Sequence, residues 1–358
     1  METEVLTVTS PDDDRLEHAG ALIREGGLVV FPTETVYGLG GDATNAAASR
    51  KIYQAKGRPS DNPLIIHVAF PEDAEKYART DRLYYRLARA FMPGPLTVIM
   101  PRLESIPLST TGGLETVAVR CPSHPIAHAL IRQSRTAIAA PSANLSGKPS
   151  PTCAEHVLHD LKGRVDMIID GGACEIGLES TIVKLDRDNE GEEYLTLLRP
   201  GAVTRDALLL VCPRVDIAPA VSEALAAGEH PLSPGMKYKH YAPTAPLTLL
   251  TGEDADVLAY FSREQESGGC AILCYDEEIP LLRDQYLLPV GRRDDLAMQA
   301  HRLFACLREA DTLPVTRIFA HMPTKDGMGL ALYNRLIRAA AHTVLNVSAH
   351  SPAKSEPK

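Results

Sequence analysis

The chain has 358 residues, with 37 Lys and Arg against 46 Asp and Glu, so its formal net charge is −9. Its 44% hydrophobic and 23% charged residues are globular proportions and exclude a disordered chain. The acid excess excludes a protein that coats nucleic acid non-specifically, because neutralising phosphates takes surplus Lys and Arg. At ~100–200 residues per domain, the length implies two domains. The seven cysteines are dispersed without a Cys-x-x-Cys pair, the pattern of reduced thiols in a cytoplasmic protein. The acidic start METEVLTVTSPDDD reads as neither a signal nor a transit peptide. No run approaches ~18 consecutive apolar residues, so no membrane span is expected.

In chain order, Asp12 to Glu25 has apolar residues at helical spacing and stops at Gly26-Gly27. LVVFP reads as a short buried strand, Asn45 to Ala55 as a helix, LIIHV (64–68) as a strand and Glu72 to Phe91 as helical. LTVIM (96–100), TVAVR (116–120) and AIAA (137–140) read as strands, with a helix near 124–133. MIID (167–170), STIVKL (180–185) and YLTLL (194–198) extend the sheet. This mixture predicts an α/β domain over residues 1–206 around a twisted mixed sheet. Residues 207–246 read as a Pro-rich linker, whose last part carries Pro231, Pro234, Pro243 and Pro246 and is extended and semi-rigid. Lys237, Tyr238, Lys239, His240 and Tyr241 sit there together without an acid, an unusual composition for a spacer. From 247 to 345 strands and helices alternate again, predicting a small Rossmann-like α/β domain with parallel strands and no G-x-G-x-x-G dinucleotide fingerprint. Residues 346–358 read as a disordered tail.

Three segments could carry chemistry. RKIYQAKGR (50–58) has four positive charges and no acid. Lys56 and Arg58 flank Gly57 just ahead of Pro59, a turn able to aim both cations at one polyanion, although from the residues alone a solvated loop is the commoner reading. PSANLSGKPSPT (141–152) follows a strand end, where open α/β sheets place ligands, but Ser, Asn and Gly also serve ordinary turns. Ser142 and Asn144 alternate, so one can face a ligand while the other holds the loop. FPTETVYGLGGDA (31–43) runs a strand through Thr33, Thr35 and Tyr37 into a glycine-rich turn, a small polar pocket or merely β-forming threonines. His67 closes a strand, by default as a structural histidine. No H-E-x-x-H or other metal-ligand cluster appears, and no Walker or G-x-S-x-G pattern.

Taken together, the chain resembles the YrdC-type threonylcarbamoyl-AMP synthases in their long, two-domain form. The resemblance rests on eight motifs in family order: PTETVYGLG, KGRPSDNPLIIHV, PGPLT, GGLETVAVRCPSHP, APSANLSGKPSPT, GLESTIV, LRPG and SPGMKYKHYAP. The stretch GMGLALYNRLIRAA resembles the extension domain of that form. The resemblance implies a YrdC-like sheet and a nucleotidyltransfer in which L-threonine, bicarbonate or CO2, and ATP give L-threonylcarbamoyl-AMP and pyrophosphate. It also implies a downstream tRNA threonylcarbamoyl transferase complex acting beside the anticodon of tRNAs that read ANN codons. Whether the chain touches tRNA directly is left open.

Carried over by motif, the catalytic residues are Lys56 and Arg58. ATP contacts fall on Arg58, Asn62, Thr116, Ala140, Ser142, Asn144, Ser150, Arg199 and the linker residue Tyr241. L-threonine contacts fall on Thr35, His67, Arg120 and Ser180. Mg2+ is expected to be held mainly by the ATP phosphates. The linker motif is expected to fold back over the pocket as a lid against water. A rival reading, an RNA-binding module without catalysis, is disfavoured by the −9 charge and 5% aromatic content. The carbamoyl-adenylate chemistry of hydrogenase maturation proteins is disfavoured because their zinc-binding cysteine pairs are not seen here.

Overall fold

A computed structural model of the chain describes residues 2–223 and 240–348. The chain divides into two compact units, Met1–Tyr238 and Lys239–Lys358. Lys237, Tyr238, Lys239 and most of the anticipated lid lie outside the described residues, as do residues 349–358 of the expected tail. Residues 346–348 of that tail are instead ordered, Asn346 ending a strand and Val347 N donating to the Thr251 carbonyl at 2.9 Å.

The first unit runs β1 (Glu4–Thr7), α1 (Arg15–Arg24), β2 (Val29–Phe31), β3 (Gly38–Asp42), α2 (Ala46–Lys56), β4 (Ile65–His67), α3 (Arg82–Phe91), β5 (Leu96–Pro101) and β6 (Thr116–Arg120). It continues with α4 (Pro125–Ser134), β7 (Ile138–Ala140), α5 (Ala154–Leu161), β8 (Met167–Asp170), β9 (Thr181–Arg187), β10 (Glu193–Arg199), α6 (Arg205–Leu209) and β11 (Val215–Ile217). Its eleven described strands form one mixed sheet in the order β1-β8-β2-β3-β7-β4-β6-β5-β9-β10-β11. On one side α1 and α4 bury Leu16, Ile23, Ile126 and Leu130 against Val29, Phe31, Ile138 and Ile169 of the sheet. Each such side chain contributes about 1.5–3 kcal/mol of apolar burial.

Three sequence expectations change here. The glycine-rich segment after Tyr37 is not a turn but strand β3, antiparallel to both β2 and β7. Its glycines are packing requirements. A Cβ on Gly40 would lie 2.7 Å from Cγ2 of Ile138 and 2.8 Å from Cε1 of Phe31. Gly40→Ala is therefore expected to lower unfolding free energy by about 1–3 kcal/mol, measurable as a lower denaturation midpoint. The helical reading of Glu72 to Phe91 splits into a 3-10 segment, Pro71–Lys76, and α3. The chain opens between them because Ala78 bridges to Arg102, and Asp81 starts α3 by accepting from Tyr84 N at 2.9 Å. Residues 207–217, assigned to the linker, instead finish α6 and form the edge strand β11, whose Val215–Ile217 pair in parallel with β10 from Leu195 opposite Val215. A short edge strand has too few residues for its alternation to be read.

The second unit comprises β12 (Leu247–Thr251), α7 (Asp254–Ser267), β13 (Cys270–Cys274), β14 (Leu287–Pro289), α8 (Leu296–Ala310), β15 (Arg317–His321), α9 (Gly329–Ala339) and β16 (Val344–Asn346). Its described sheet, β14-β13-β15-β12-β16, is parallel throughout, as the strand–helix alternation predicts. No helix among the described residues is long and apolar enough to cross a membrane.

Candidate active site

Sheet register assembles the centre of the site. His67 at the end of β4 pairs with Arg120 at the end of β6, and Arg120 pairs with Thr97 of β5. Directly paired residues project from the same face, so an imidazole, a guanidinium and a hydroxyl stand in one row. Ser180 adjoins that row through a 2.8 Å hydrogen bond between its Oγ and Oγ1 of Thr97. Arg199 donates from Nε to the Ser180 carbonyl at 2.9 Å and from Nη2 to Ser180 Oγ at 3.1 Å. Thr35 enters from the loop between β2 and β3, its hydroxyl 2.9 Å from that of Thr33. Preceding it, Glu34 brings Oε1 to 2.7 Å from Nη2 of Arg120.

His67 is buried, and desolvation followed by the positive charge of Arg120 lowers its pKa to about 3. Its imidazole is neutral at neutral pH, and Nδ1 is buried without a hydrogen-bond partner among the described residues. A neutral ring of this kind can exchange a hydrogen bond with a hydroxyl or amine without adding charge.

The second half of the site lies farther along the same sheet face. Ile65 pairs with both Ala118 and Ala140, two residues along from the His67 row, and Thr116 is two residues further along β6. Two residues of strand span ~7 Å, so the two halves are adjacent. Helix α2 delivers the cations. Asn45 caps its start by accepting from Ala47 N at 2.9 Å, and Gly57 ends it in the left-handed conformation at φ 62°. That reversal leaves Lys56 and Arg58 on either side of a sharp turn, both buried.

Lys56 Nζ donates to the carbonyls of Ser142 and Asn144, the latter at 2.6 Å, and to Asn144 Oδ1 at 3.2 Å. Its ammonium therefore ties α2 to the loop after β7. Asn144 is the loop holder: Nδ2 donates to the Leu145 carbonyl at 2.8 Å and the Lys148 carbonyl at 2.9 Å. Ser142 donates its hydroxyl to Asn144 Oδ1 at 2.5 Å. Ser150 closes the loop by donating to Glu179 Oε1 at 2.5 Å. Arg58 Nη2 donates to the carbonyls of Asn62 and Pro63, each at 3.2 Å. Asn62 is 1% exposed, yet neither side-chain polar atom has a hydrogen-bond partner among the described residues. A buried amide left in that state costs about 1–3 kcal/mol, which a ligand would offset.

The motif-derived residues of the first unit thus join into two linked groups. Thr35, His67, Arg120 and Ser180 gather around the end of β6, while Lys56, Ser142 and Asn144 form one hydrogen-bonded set beside the Arg58–Asn62 turn. Tyr241 belongs to the second unit, buried with its ring 5.1 Å from that of Phe304. Its assignment to the nucleotide rests on the resemblance alone. Residue-by-residue reading missed Glu34, Thr97 and Glu179, although all three lie inside the quoted motifs. The available signal was an acid placed between Thr33 and Thr35 immediately after a wholly apolar strand.

Comparison with known proteins matches residues 21–201 to the family described as "Telomere recombination" and residues 203–341 to "Threonylcarbamoyl-AMP synthase, C-terminal domain". The Bacillus subtilis threonylcarbamoyl-AMP synthase is 43% identical, covering 96% of this chain and 97% of its own. This chain belongs to the threonylcarbamoyl-AMP synthase family. The Pyrococcus abyssi threonylcarbamoyl-AMP synthase is 41% identical over 93% of this chain and 96% of its own. The structure of P. abyssi Sua5 complexed with L-threonine superposes with a TM-score of 0.87 at 39% identity, covering 96% of this chain and all of that one. Membership makes the chain an enzyme of the nucleotidyltransferase type, on a YrdC-like sheet followed by a parallel α/β unit.

Proposed function

We propose that the two adjacent groups on the sheet face bind L-threonine and ATP and join them, with bicarbonate or CO2, into L-threonylcarbamoyl-AMP and pyrophosphate. The observation that carries this reading is the placement of Arg120 and His67 two residues along the strands from the Ala140–Ala118 row on one face. An amino acid at the first row has its nitrogen within reach of a nucleotide α-phosphate at the second. Arg120 takes the α-carboxylate, and its planar fork suits that role better than a lysine. Thr35, Ser180 and His67 read the threonine hydroxyl and amine. Asn62, Thr116, Ala140, Ser142, Ser150 and Arg199 position the nucleotide, and Asn144 keeps the Ser142 loop in shape.

The displacement at phosphorus needs alignment and charge neutralisation rather than a protein nucleophile. The carbamate oxygen attacks the α-phosphorus and pyrophosphate departs. Arg58 supplies positive charge directly at the phosphates, and Lys56 supplies it while bracing the loop. Mg2+ would be carried by the ATP phosphates and water. The mixed anhydride is then used by a separate transferase that modifies the adenosine beside the anticodon of tRNAs reading ANN codons, and both work in the cytoplasm.

The test is pyrophosphate release from ATP and bicarbonate by the purified chain, with and without L-threonine. Release is expected only with threonine. Release indifferent to threonine would overturn the reading, and salt-dependent tRNA binding without any turnover would favour an RNA-binding module.

A further inference from the structure

Glu34 and Arg120 are each 4% exposed, and their closest atoms are 2.7 Å apart. Proximity is not matched by alignment. Neither Glu34 oxygen nor Nη2 of Arg120 makes a directed hydrogen bond among the described residues. Burying two ions costs several kcal/mol each, and their attraction repays this only when directed hydrogen bonds complete the pair. This pair is therefore a poor device for stabilising the fold. It is well suited to a ligand that carries both charges.

An α-amino acid does so, with its carboxylate and ammonium on a single carbon. Lying alongside the pair, it would give the guanidinium a carboxylate and the Glu34 carboxylate an ammonium, each through charge-assisted hydrogen bonds. The loop bearing Glu34 is braced for this. Thr33 Oγ1 donates to the Val36 carbonyl at 2.7 Å, Ile176 N donates to the Glu34 carbonyl at 2.8 Å, and Gly177 N to the Thr35 carbonyl at 3.1 Å.

We propose that Glu34 holds the α-ammonium of the substrate amino acid and takes one proton from it, creating the amine that attacks CO2. The proposal rests on the synthase reading above, with Arg120 as the carboxylate clamp. Of the ammonium's three protons one passes to Glu34, freeing the nitrogen lone pair. That pair forms the new N–C bond to the CO2 carbon as one C–O π pair moves onto oxygen. The second proton is lost to water, and the third remains on the carbamate nitrogen. The alternative acceptors are poorly placed for this. His67 is held neutral with a pKa of about 3, which makes it a weak base, and Glu179 accepts the Ser150 hydroxyl at 2.5 Å.

The titratable groups around Glu34 are Arg120 and Cys121 at the end of β6, His124 at the start of α4 and Cys174 after β8. Burial pushes both thiols up to about 12 and lowers His124, while Glu34 opposes the latter shift. Between about pH 7 and pH 9, close to the ordinary range of an α-amine, these thiols and His124 stay uncharged, so a pH effect there reports on the substrate amine.

The experiment is Glu34→Gln, followed by threonine-dependent pyrophosphate release against pH at saturating ATP. Turnover at about pH 7 is expected to fall ~100-fold, the loss of a general base. The deficit should shrink about tenfold per pH unit as free amine replaces ammonium, with a smaller change in the half-saturating threonine concentration. Turnover within about threefold of the parent, or a reduced rate whose pH profile parallels the parent's, would overturn the proposal. A parent chain that releases pyrophosphate without regard to threonine removes the synthase reading itself, whereas an active parent and an equally active Glu34→Gln remove this proposal alone. If Glu34→Gln loses its thermal transition, Glu34→Asp takes its place. Its carboxylate stands back by one methylene, so a loss of about tenfold is expected, and parental turnover overturns the proposal.

Discussion

Replacing Arg120 with alanine is expected to remove threonine-dependent turnover while leaving the ATP requirement nearly unchanged. Two losses combine in this variant. The substrate carboxylate loses its guanidinium, and Glu34 is left as a buried carboxylate opposite nothing. Breaking a buried pair from one side typically costs about 3–5 kcal/mol of stability, because the remaining ion has been stripped of water without compensation. A lower melting temperature is therefore part of the expected result. The double variant Arg120→Met with Glu34→Gln separates the two effects, since it removes both charges together. It should recover most of the lost melting temperature and none of the threonine-dependent pyrophosphate release. A folded Arg120→Ala protein with its half-saturating threonine concentration within about twofold of the parent's would show that Arg120 does not grip the substrate.

Arg58→Ala is expected to have the opposite signature. The guanidinium is buried and braces the 58–63 turn through the carbonyls of Asn62 and Pro63. Its removal takes away charge at the phosphates and loosens the turn that presents the Asn62 amide. By comparison with the loss of a preorganised donor, turnover should fall about 10²–10³-fold, corresponding to about 2.7–4 kcal/mol of transition-state stabilisation. The half-saturating ATP concentration should rise and that of threonine should not. Arg58→Lys is expected to recover little, because one ammonium cannot span two carbonyls and a phosphate as a planar fork does. Turnover within about threefold of the parent, measured as pyrophosphate release, would remove Arg58 from the catalytic assignment.

Much of the architecture was legible locally. The apolar strands from LVVFP to YLTLL and from LTLL to TRIFA reappear within a few residues of their expected positions. Their β-branched composition and bounding turn residues act over short distances, where sequence patterns are informative. The exceptions were features set by distant neighbours. The glycines of β3 look like a turn until Ile138 and Phe31 are seen to close on Gly40. Strand β11 has no visible pattern until β10 lies beside it.

The candidate site divides in the same way. Lys56 and Arg58 stood out because four cations without an acid is a local anomaly in an acidic chain. That Lys56 serves as a tie to the Ser142 and Asn144 carbonyls could not be read, since those partners lie 86 and 88 residues away along the chain.

From the sequence alone came the two-domain division, the family and the candidate site residues, because motif order and hydrophobic periodicity are properties of the chain itself. The jobs of individual side chains depended on the folded molecule. Hydrogen-bond direction, burial and the approach of Glu34 to Arg120 arise when β6 comes alongside β4 and the 33–37 loop is clamped by residues 176 and 177. An acid read as one more charge in a chain of net −9 thereby becomes a buried carboxylate facing a guanidinium.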